Sequence, residues 1–413
     1  MRRMTVPEDE ARAAGLAAID DDRYADAVGH LTEAVRYNPN DAGTHYDLGR
    51  AFYLLWQFGD AETAFRRTLE INSDYLDALG YLGRALDGQG RVDEAIDTFR
   101  AVLDKRPDHA AVHLLLAQTL LRRGDFAEGW DAYEWRYGDD VGRPYPDFGV
   151  PQWNGEDLSG KTIFVFGEQG YGDTIQFVRY LPLLKKCGAT VVFGCSAPLM
   201  RLLKATPGID RVVTNWLKVG AIDYFCPLSS LPRAFKTAVD TVPAETSYLA
   251  PKGAHIRRWA RRLEAVPSPR VGICWQGRPT HPNDRYRSVG MQTLIDHLPP
   301  HAGYVSLQIG AGEIAPGIHV FDRQIADFAD TACLVANLDL VITVDTSIAH
   351  LAGAVGIETW VALPYVADWR WRQHGEGSAW YPSLRLFRQS DPADWQPVLA
   401  RMGDELLAKL AID

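Results

Sequence analysis

Aligning the first third of the chain on itself at a step of 34 residues superposes Gly15, Gly49, Gly83 and Ala117 in one column. A second small-residue column holds Ala27, Ala61, Ala95 and Gly129, and four residues further on a large apolar column holds Leu31, Phe65, Phe99 and Tyr133. Small residues recurring at one step, with large ones at a fixed offset, require paired helices that cross closely and repeat that crossing along the chain. Pro39 and Pro107 close the first and third units, and four units fit between about residue 8 and residue 140. A unit of this size cannot bury its hydrophobic face alone, so each packs on its neighbours and the last must be covered. The aromatic stretch GWDAYEWRY at 129–137 is the expected cover.

These columns resemble the tetratricopeptide repeat, a helix–turn–helix unit with small residues where helices cross and proline at the exit. In such arrays the first helix of each unit lines a concave face. Tyr46, Arg50, Tyr81, Arg84 and Gln118 fall at inward positions and mix aromatic contact with donors for peptide carbonyls. The resemblance therefore implies an α-solenoid over 1–140 that holds a protein partner.

Charge narrows the partners. Residues 1–140 carry 16 Lys+Arg and 27 Asp+Glu out of chain totals of 43 and 53, so the first third is acidic and the remainder balanced. An acidic surface repels polyphosphate, and no nucleic-acid partner is expected. No apolar run of ~18 residues occurs, and the opening MRRMTVPEDEARAAG has no apolar stretch behind its arginines. Neither a membrane span nor a secretory signal is expected, and the expected location is cytoplasmic. The five cysteines, 187, 195, 226, 274 and 333, show no C-x-x-C spacing and read as small buried apolar residues.

After a proline- and glycine-rich stretch, GRPYPDFGVPQWNG, read as a connector over 141–155, the periodicity changes. TIFVF, TVVFG, VGICW, YVSLQ, LVITV and TWVALP alternate with helical runs, a pattern that implies parallel, doubly wound sheets. Two such α/β domains are expected, over 156–258 and 259–413. Trp395, Val398, Leu399, Met402, Leu406 and Leu410 stand at helical spacing and should pack a final helix back on the fold.

Two loops carry candidate chemistry. GEQGYGDTIQF at 167–177 follows an apolar strand, but a dinucleotide fingerprint from Gly170 needs a small residue where Ile175 stands. Asp173 also puts negative charge where a phosphate would sit. Asp173 reads as an N-cap, with Gln176 at capping-box spacing, and equally as a carboxylate facing the crevice at a strand's carboxyl end. The glycines at 170 and 172 would leave room for an acceptor hydroxyl to approach it. In VITVDTSIAHLAGAVG, at 341–356, the hydroxyl-lined helix start after Asp345 suits a diphosphate. A capped buried helix with His350 in the core is the alternative reading. Arg278, Arg285 and Arg287 are anion-binding candidates or a solvated loop. Trp369, Trp371, Trp380 and Tyr381 either line a pocket or fill the core between the domains. His109 and His113 have no third ligand in view, so no metal site is expected.

GEQGYGDTIQF with RYLPLL, GICWQGRPTHPNDRYRS, DTACLVANLDLVITVDTSIAHLAGAVG, and LPYVADWRW with WYPSLRLFRQ follow one another in order, within a resemblance that covers nearly the whole chain. They resemble bacterial proteins that join tetratricopeptide repeats to a GT-B region related to the family 9 heptosyltransferases, and the plan is similar to O-linked N-acetylglucosamine transferase. The resemblance implies two facing Rossmann-like domains and a metal-independent, inverting glycosyltransferase with no cofactor beyond its nucleotide-sugar donor. It implies Asp173 of the G-x-G-D motif as base, and Asp345, Thr346 and His350 near the donor diphosphate. Gly172, Gln276, Arg278, Arg287, Ser288, Ser347 and Trp369 complete the implied donor site. One departure stands out: Gln276 and Arg278 occupy the region where the heptosyltransferases often carry a lysine. The implied acceptor is a hydroxyl of a protein held by the repeats, flagellin among them. A scaffold with an inactive or nucleotide-only transferase region, and a lipid-glycan transferase, are the alternatives.

Overall fold

The computed structural model describes residues 7–138, 142–143, 145–281, 283–310, 312, 314–392 and 394–410, with Leu217 described by its backbone alone. Parts of the expected connector and of the last domain, residues 141, 144 and 411–413 among them, lie outside the described residues. The chain divides into two compact units, Met1–Arg143 and Pro144–Asp413.

The first unit is helical: α1 (Pro7–Asp20), α2 (Tyr24–Tyr37), α3 (Ala42–Leu54), α4 (Phe58–Ile71), α5 (Leu76–Gly88), α6 (Val92–Lys105), α7 (Ala110–Arg123) and α8 (Phe126–Tyr133). The pairs α1/α2, α3/α4, α5/α6 and α7/α8 are the four repeats. The glycine column has a direct steric cause. A Cβ on Gly15 would lie 2.5 Å from Leu31 Cγ, one on Gly49 2.5 Å from Phe65 Cε1, and one on Gly83 2.6 Å from Phe99 Cε1. The small column therefore admits the large column of the same unit, and Leu31, Phe65 and Phe99 are buried in the gap it leaves. A second device recurs two repeat steps apart: His45 Nε2 lies 3.0 Å from the Pro39 carbonyl oxygen, and His113 Nε2 lies 2.8 Å from that of Pro107. Each histidine ties its helix to the proline turn before it. GWDAYEWRY does cover the last helices of the array, with Trp130 edge-on to Phe126 and Tyr133 and Trp135 stacked on His113 at 4.1 Å.

The second unit is α/β. Its elements are β1 (Thr162–Phe166), α9 (Tyr171–Phe177), α10 (Leu181–Lys186), β2 (Thr190–Gly194), α11 (Ala197–Leu203), β3 (Arg211–Val213), β4 (Tyr224–Pro227), α12 (Leu231–Ala234) and α13 (Gly253–Arg262). They continue with β5 (Arg270–Cys274), α14 (Asp284–Arg287), α15 (Met291–Ile295), β6 (Gly303–Ser306), β7 (Ile318–Val320), α16 (Phe328–Val335) and β8 (Leu340–Val344). Last come α17 (Ser347–Val355), β9 (Thr359–Leu363), β10 (Leu384–Arg388) and α18 (Gln396–Leu410). The strands form two sheets, ordered β3-β2-β1-β4 and β10-β9-β8-β5-β6-β7. All pairings between these strands are parallel, and a single-residue antiparallel bridge joins Gly377 to Arg385 of β10. Parallel sheets are covered on both faces, which is why TIFVF, LVITV and TWVAL read as continuous apolar runs.

Three expectations change in this unit. The segment 142–155 does more than connect: Tyr145, Phe148 and Val150 pack on Phe164, Phe166, Val192 and Phe225, and Gln152 pairs with Phe225 beside β4. It covers a sheet face that would otherwise be bare. The strands β3, β4, β7 and β10 escaped the sequence reading because three have only three or four residues and LRLFR is interrupted by arginines. Cys187 is exposed, unlike the other four cysteines, because it follows the end of α10 in the turn to β2. The final helix behaves as its spacing requires, burying Val398, Leu399, Met402 and Leu406 in a core shared with Trp360 and Phe387. Among the described residues no helix is long and apolar enough to cross a membrane.

Candidate functional site

In each sheet the strand order reverses beside the first strand: β1 lies between β2 and β4, and β5 between β6 and β8. At such a switch point the loops leaving the carboxyl ends diverge to opposite faces and open a crevice. The loop before α9 leaves the first switch point, and the loops after β5 and β8 leave the second. The start of α9 meets the start of α17 directly, because a Cβ on Gly172 would lie 2.7 Å from His350 Cδ2 and 3.5 Å from Ser347 Cα.

That contact revises the role of the glycine. Gly172 is where two helices touch, rather than an opening kept for an acceptor. Asp173 is revised too. The N-cap of α9 is Gly170, and Asp173 sits at the third helical position, where Oδ2 accepts the Gly170 N–H at 2.9 Å. It forms the returning half of a capping box. Gln176 is not part of that box: its Oε1 accepts from Arg370 Nε at 2.7 Å, and its buried Nε2 has no hydrogen-bond partner among the described residues.

The other oxygen of Asp173, Oδ1, is ion-paired with Arg370 Nη2. Arg370 also donates from Nη1 to Asp368 Oδ1 at 2.9 Å, and its guanidinium carbon stands 4.2 Å from the Trp369 ring centre. The arginine side chain is 9% exposed and that of Asp173 22%, so the carboxylate keeps one edge open to solvent. Arg370 was missing from the sequence reading. Its signal was present in DWRW: a cation between two tryptophans, two residues after an aspartate, on the segment that leaves β9.

The loop after β5 braces itself. Gln276 N–H donates to Gln308 Oε1 at 3.1 Å, and Gly277 N–H donates to Ser288 Oγ at 2.9 Å, so Ser288 holds the loop. Arg287 Nε lies 3.4 Å from the buried carboxylate of Asp284. Arg278 is exposed and makes no ion pair among the described residues. Burial, and then the Arg287 charge, hold the His281 imidazole below its ordinary range. The same charge favours the ionised form of Asp345 and the neutral form of His350, which puts Arg287 within electrostatic reach of both.

After β8, Thr346 caps α17 by accepting the Ile348 N–H at 3.2 Å, and Ser347 is the half-exposed residue at the helix start. Asp345 is buried; desolvation, with the nearby Asp368 charge adding to it, pushes its carboxyl up to about 6. His350 lies in the core, its Nδ1 2.8 Å from Tyr381 Oη and its ring stacked on Trp371. Burial, then the Arg370 and Arg179 charges, hold it well below its ordinary value, so the ring is neutral. Of the two readings for the aromatic segment, the structure favours core. Trp369, Trp371, Trp380 and Tyr381 are each at most 4% exposed and pack on Phe177, His350 and Arg179.

Arg179, from RYLPLL, ties the end of α9 to the segments at Pro243 and Trp380 through carbonyls: Nε donates to Gln176 O at 2.7 Å and Nη1 to Pro243 O at 3.2 Å and to Trp380 O. The contact of α9 with α17 thus brings together Gly172, Asp173, Ser347 and His350, with Asp345 just before α17 and Arg287 within electrostatic reach of Asp345 and His350. Trp369 lies beneath Arg370, and Gln276 and Arg278 lie further out on their loop.

In the first unit, Tyr46, Arg50, Tyr81 and Arg84 do cluster. Tyr46 and Tyr81 meet edge to face at 5.7 Å, Arg50 stands over Tyr46, and Arg84 lies between Tyr53 and Tyr81 at 4.6 and 4.8 Å from their ring centres. Gln118 is exposed on α7 and makes no hydrogen bond or ring contact with them. Sequence reasoning missed Asp47, buried among these residues and paired with Arg12 at 2.9 Å and Arg50 at 3.5 Å.

The first unit is an array of tetratricopeptide repeats: two family descriptions of that repeat match, one over residues 12–75 and the other over 56–118 and 88–129. Across its length the chain is similar to Protein FlbA of Caulobacter vibrioides, 27% identical over 453 aligned positions, covering 98% of this chain and 74% of FlbA. A stretch of 105 positions is 32% identical to the cytochrome c-type biogenesis protein CycH of Bradyrhizobium diazoefficiens, covering 25% of this chain and 28% of CycH. Among solved structures, MamA from Desulfovibrio magneticus RS-1 is 21% identical and covers 33% of this chain and 77% of its own, with a TM-score of 0.31. The first repeat domain of Spaghetti (RPAP3) is 19% identical and covers 27% and 87%, with a TM-score of 0.26.

Proposed function

We propose that the second unit is a GT-B glycosyltransferase that moves a sugar, with inversion and without a metal, from a nucleotide sugar to a hydroxyl of a protein held by the repeats. One observation carries the reading. Gly172 packs against the start of α17 and Asp173 pairs with Arg370 from the segment after β9, so a partly exposed carboxylate from the first sheet's switch point lies beside a helix start from the second's. In the proposed step the acceptor oxygen bonds to the anomeric carbon as its proton passes to Asp173. The bond from that carbon to the phosphate oxygen breaks, and its electron pair leaves with the nucleotide. A positioned carboxylate contributes about 10²–10⁴-fold to such a step. The Ser347 N–H at the start of α17, with Arg287 and the exposed Arg278, supplies positive potential for the leaving group. His350 is buried and neutral, and serves as a wall instead of a base.

A protein acceptor is favoured over a lipid glycan by the repeats, whose tyrosine and arginine cluster suits an extended peptide; flagellin is the acceptor the motif resemblance suggests, and the cytoplasm the compartment. The test is a thermal-shift screen of the full chain against UDP-, GDP-, ADP- and CMP-sugars. Stabilisation by one donor class supports the reading, and no response to any sinks it. A scaffold is the second reading, and it too has an observation behind it: both oxygens of Asp173 are engaged in contacts that a purely structural residue would make.

A further inference from the structure

We propose that Arg370 is the positioning residue of the transfer site, holding the Asp173 carboxylate at one angle across the crevice; this rests on Asp173 being the base. Three contacts fix the guanidinium before it reaches Asp173. Asp368 accepts from Nη1 at 2.9 Å, Gln176 accepts from Nε at 2.7 Å, and Trp369 lies under the plane at 4.2 Å. Asp368 is itself anchored, since its Oδ1 accepts the Arg370 N–H at 3.0 Å. A guanidinium fork satisfied on several sides is rigid, and it transmits that rigidity to the Asp173 carboxylate that it holds from the other half of the unit.

The capping bond to Gly170 fixes Oδ2, and the ion pair fixes Oδ1. With one contact on each oxygen the plane of the carboxylate is fixed, and the lone pair that each oxygen keeps for an acceptor proton has a set direction, on a side chain that is 22% exposed. Gln176 joins the arrangement from the same helix as Asp173, so α9 and the segment after β9 are locked at two adjacent points. Arg370 touches no reacting atom in this scheme and acts only through Asp173.

Turnover is read as nucleotide release from the donor chosen by the thermal-shift screen, using the full chain. In Arg370→Met, kcat is expected to fall by about 10²-fold, the scale of a 1 Å misplacement, while donor KM stays near wild type. Arg370→Lys, which keeps the charge and loses the fork, should recover part of that loss. The double variant Asp173→Asn with Arg370→Met should turn over no more slowly than Asp173→Asn alone, because the arginine has nothing left to position. Wild-type kcat in Arg370→Met while Asp173→Asn is inactive would overturn the role of Arg370 and leave the base standing. Additive losses in the double variant, or a kcat that falls only in step with melting temperature and nucleotide affinity, would also overturn it. Full turnover in Asp173→Asn would remove the base assignment itself.

Discussion

The two units solve the same packing problem by different routes. In the repeats, each glycine of the 34-residue column is matched by a large apolar residue of its own hairpin, 16 positions later, and the solution is copied from unit to unit. In the α/β unit, Gly172 of α9 is matched by His350 of α17, the helix that follows a strand of the other sheet. Polar bridges differ in the same way. Arg12 reaches Asp47 and Arg122 reaches Asp87, both across one repeat step, whereas Arg370 reaches Asp173 over 197 positions of chain. Local, repeated contacts make a surface that can lose one unit and keep its neighbours; distant, unrepeated contacts make a single site that depends on all its parts.

The sharpest break of that comparison is Asp173→Asn. The substitution keeps the shape but leaves one acceptor oxygen for the Gly170 N–H and Arg370 to share, so nucleotide affinity should stay close to wild type and melting temperature should fall modestly while turnover falls about 10²–10⁴-fold. Parallel loss of stability and turnover would make Asp173 a cap like those of the repeats. A graded version substitutes alanine at Gly172 and, separately, at Gly83. Each new Cβ meets a ring, His350 at 2.7 Å or Phe99 at 2.6 Å, and each variant should lose about 1–3 kcal/mol in denaturant unfolding. Only Gly172→Ala should also lower nucleotide affinity, and equal nucleotide binding in the two variants would uncouple the helix contact from the site.

Smaller in range is Ser347→Glu, which places negative charge at the start of α17. It should weaken nucleotide binding by about 1–3 kcal/mol by calorimetry, and unchanged affinity would move the diphosphate elsewhere. The smallest expected effect is pH dependence. The folded chain holds His350 well below its ordinary value, so below about pH 6.5 the unfolded chain binds a proton that the native one refuses. Stability from this group is therefore complete above that pH and declines below it, by at most about 1.4 kcal/mol per pH unit. Asp345 works in the opposite sense: its carboxyl is raised toward 6, so its contribution declines as pH climbs from about 4 to 6. His350→Asn should flatten the acid limb of a stability–pH curve measured between pH 5 and 8, and an unaltered limb would mean the ring is charged in the fold.

Much of the molecule was legible because its causes are local. Leu31, Phe65 and Phe99 recur at the repeat step since each fills a gap in its own hairpin, and TIFVF and LVITV read as strands because both faces of a parallel sheet are dry. Asp173 and the residues around Ser347 were legible as candidates because the carboxyl end of a strand, followed by a helix start, is visible in any window of ten residues. The cover formed by Tyr145 and Phe148 was not, since prolines and glycines read as linker until a bare sheet face needs covering.

By itself the sequence determined the repeat array, the parallel α/β class and the position of two candidate loops at strand ends, because periodicity and strand–helix order are written in consecutive residues. Only the tertiary structure decided what those loops do to one another: that Gly170 caps α9, that Gly172 is shaped by His350, and that Arg370 takes the free oxygen of Asp173. The physical reason is that each of these partners lies in a different element, at a separation no period describes. A charge or a van der Waals surface acts over a few ångströms of space, whatever length of chain lies between the atoms that carry it.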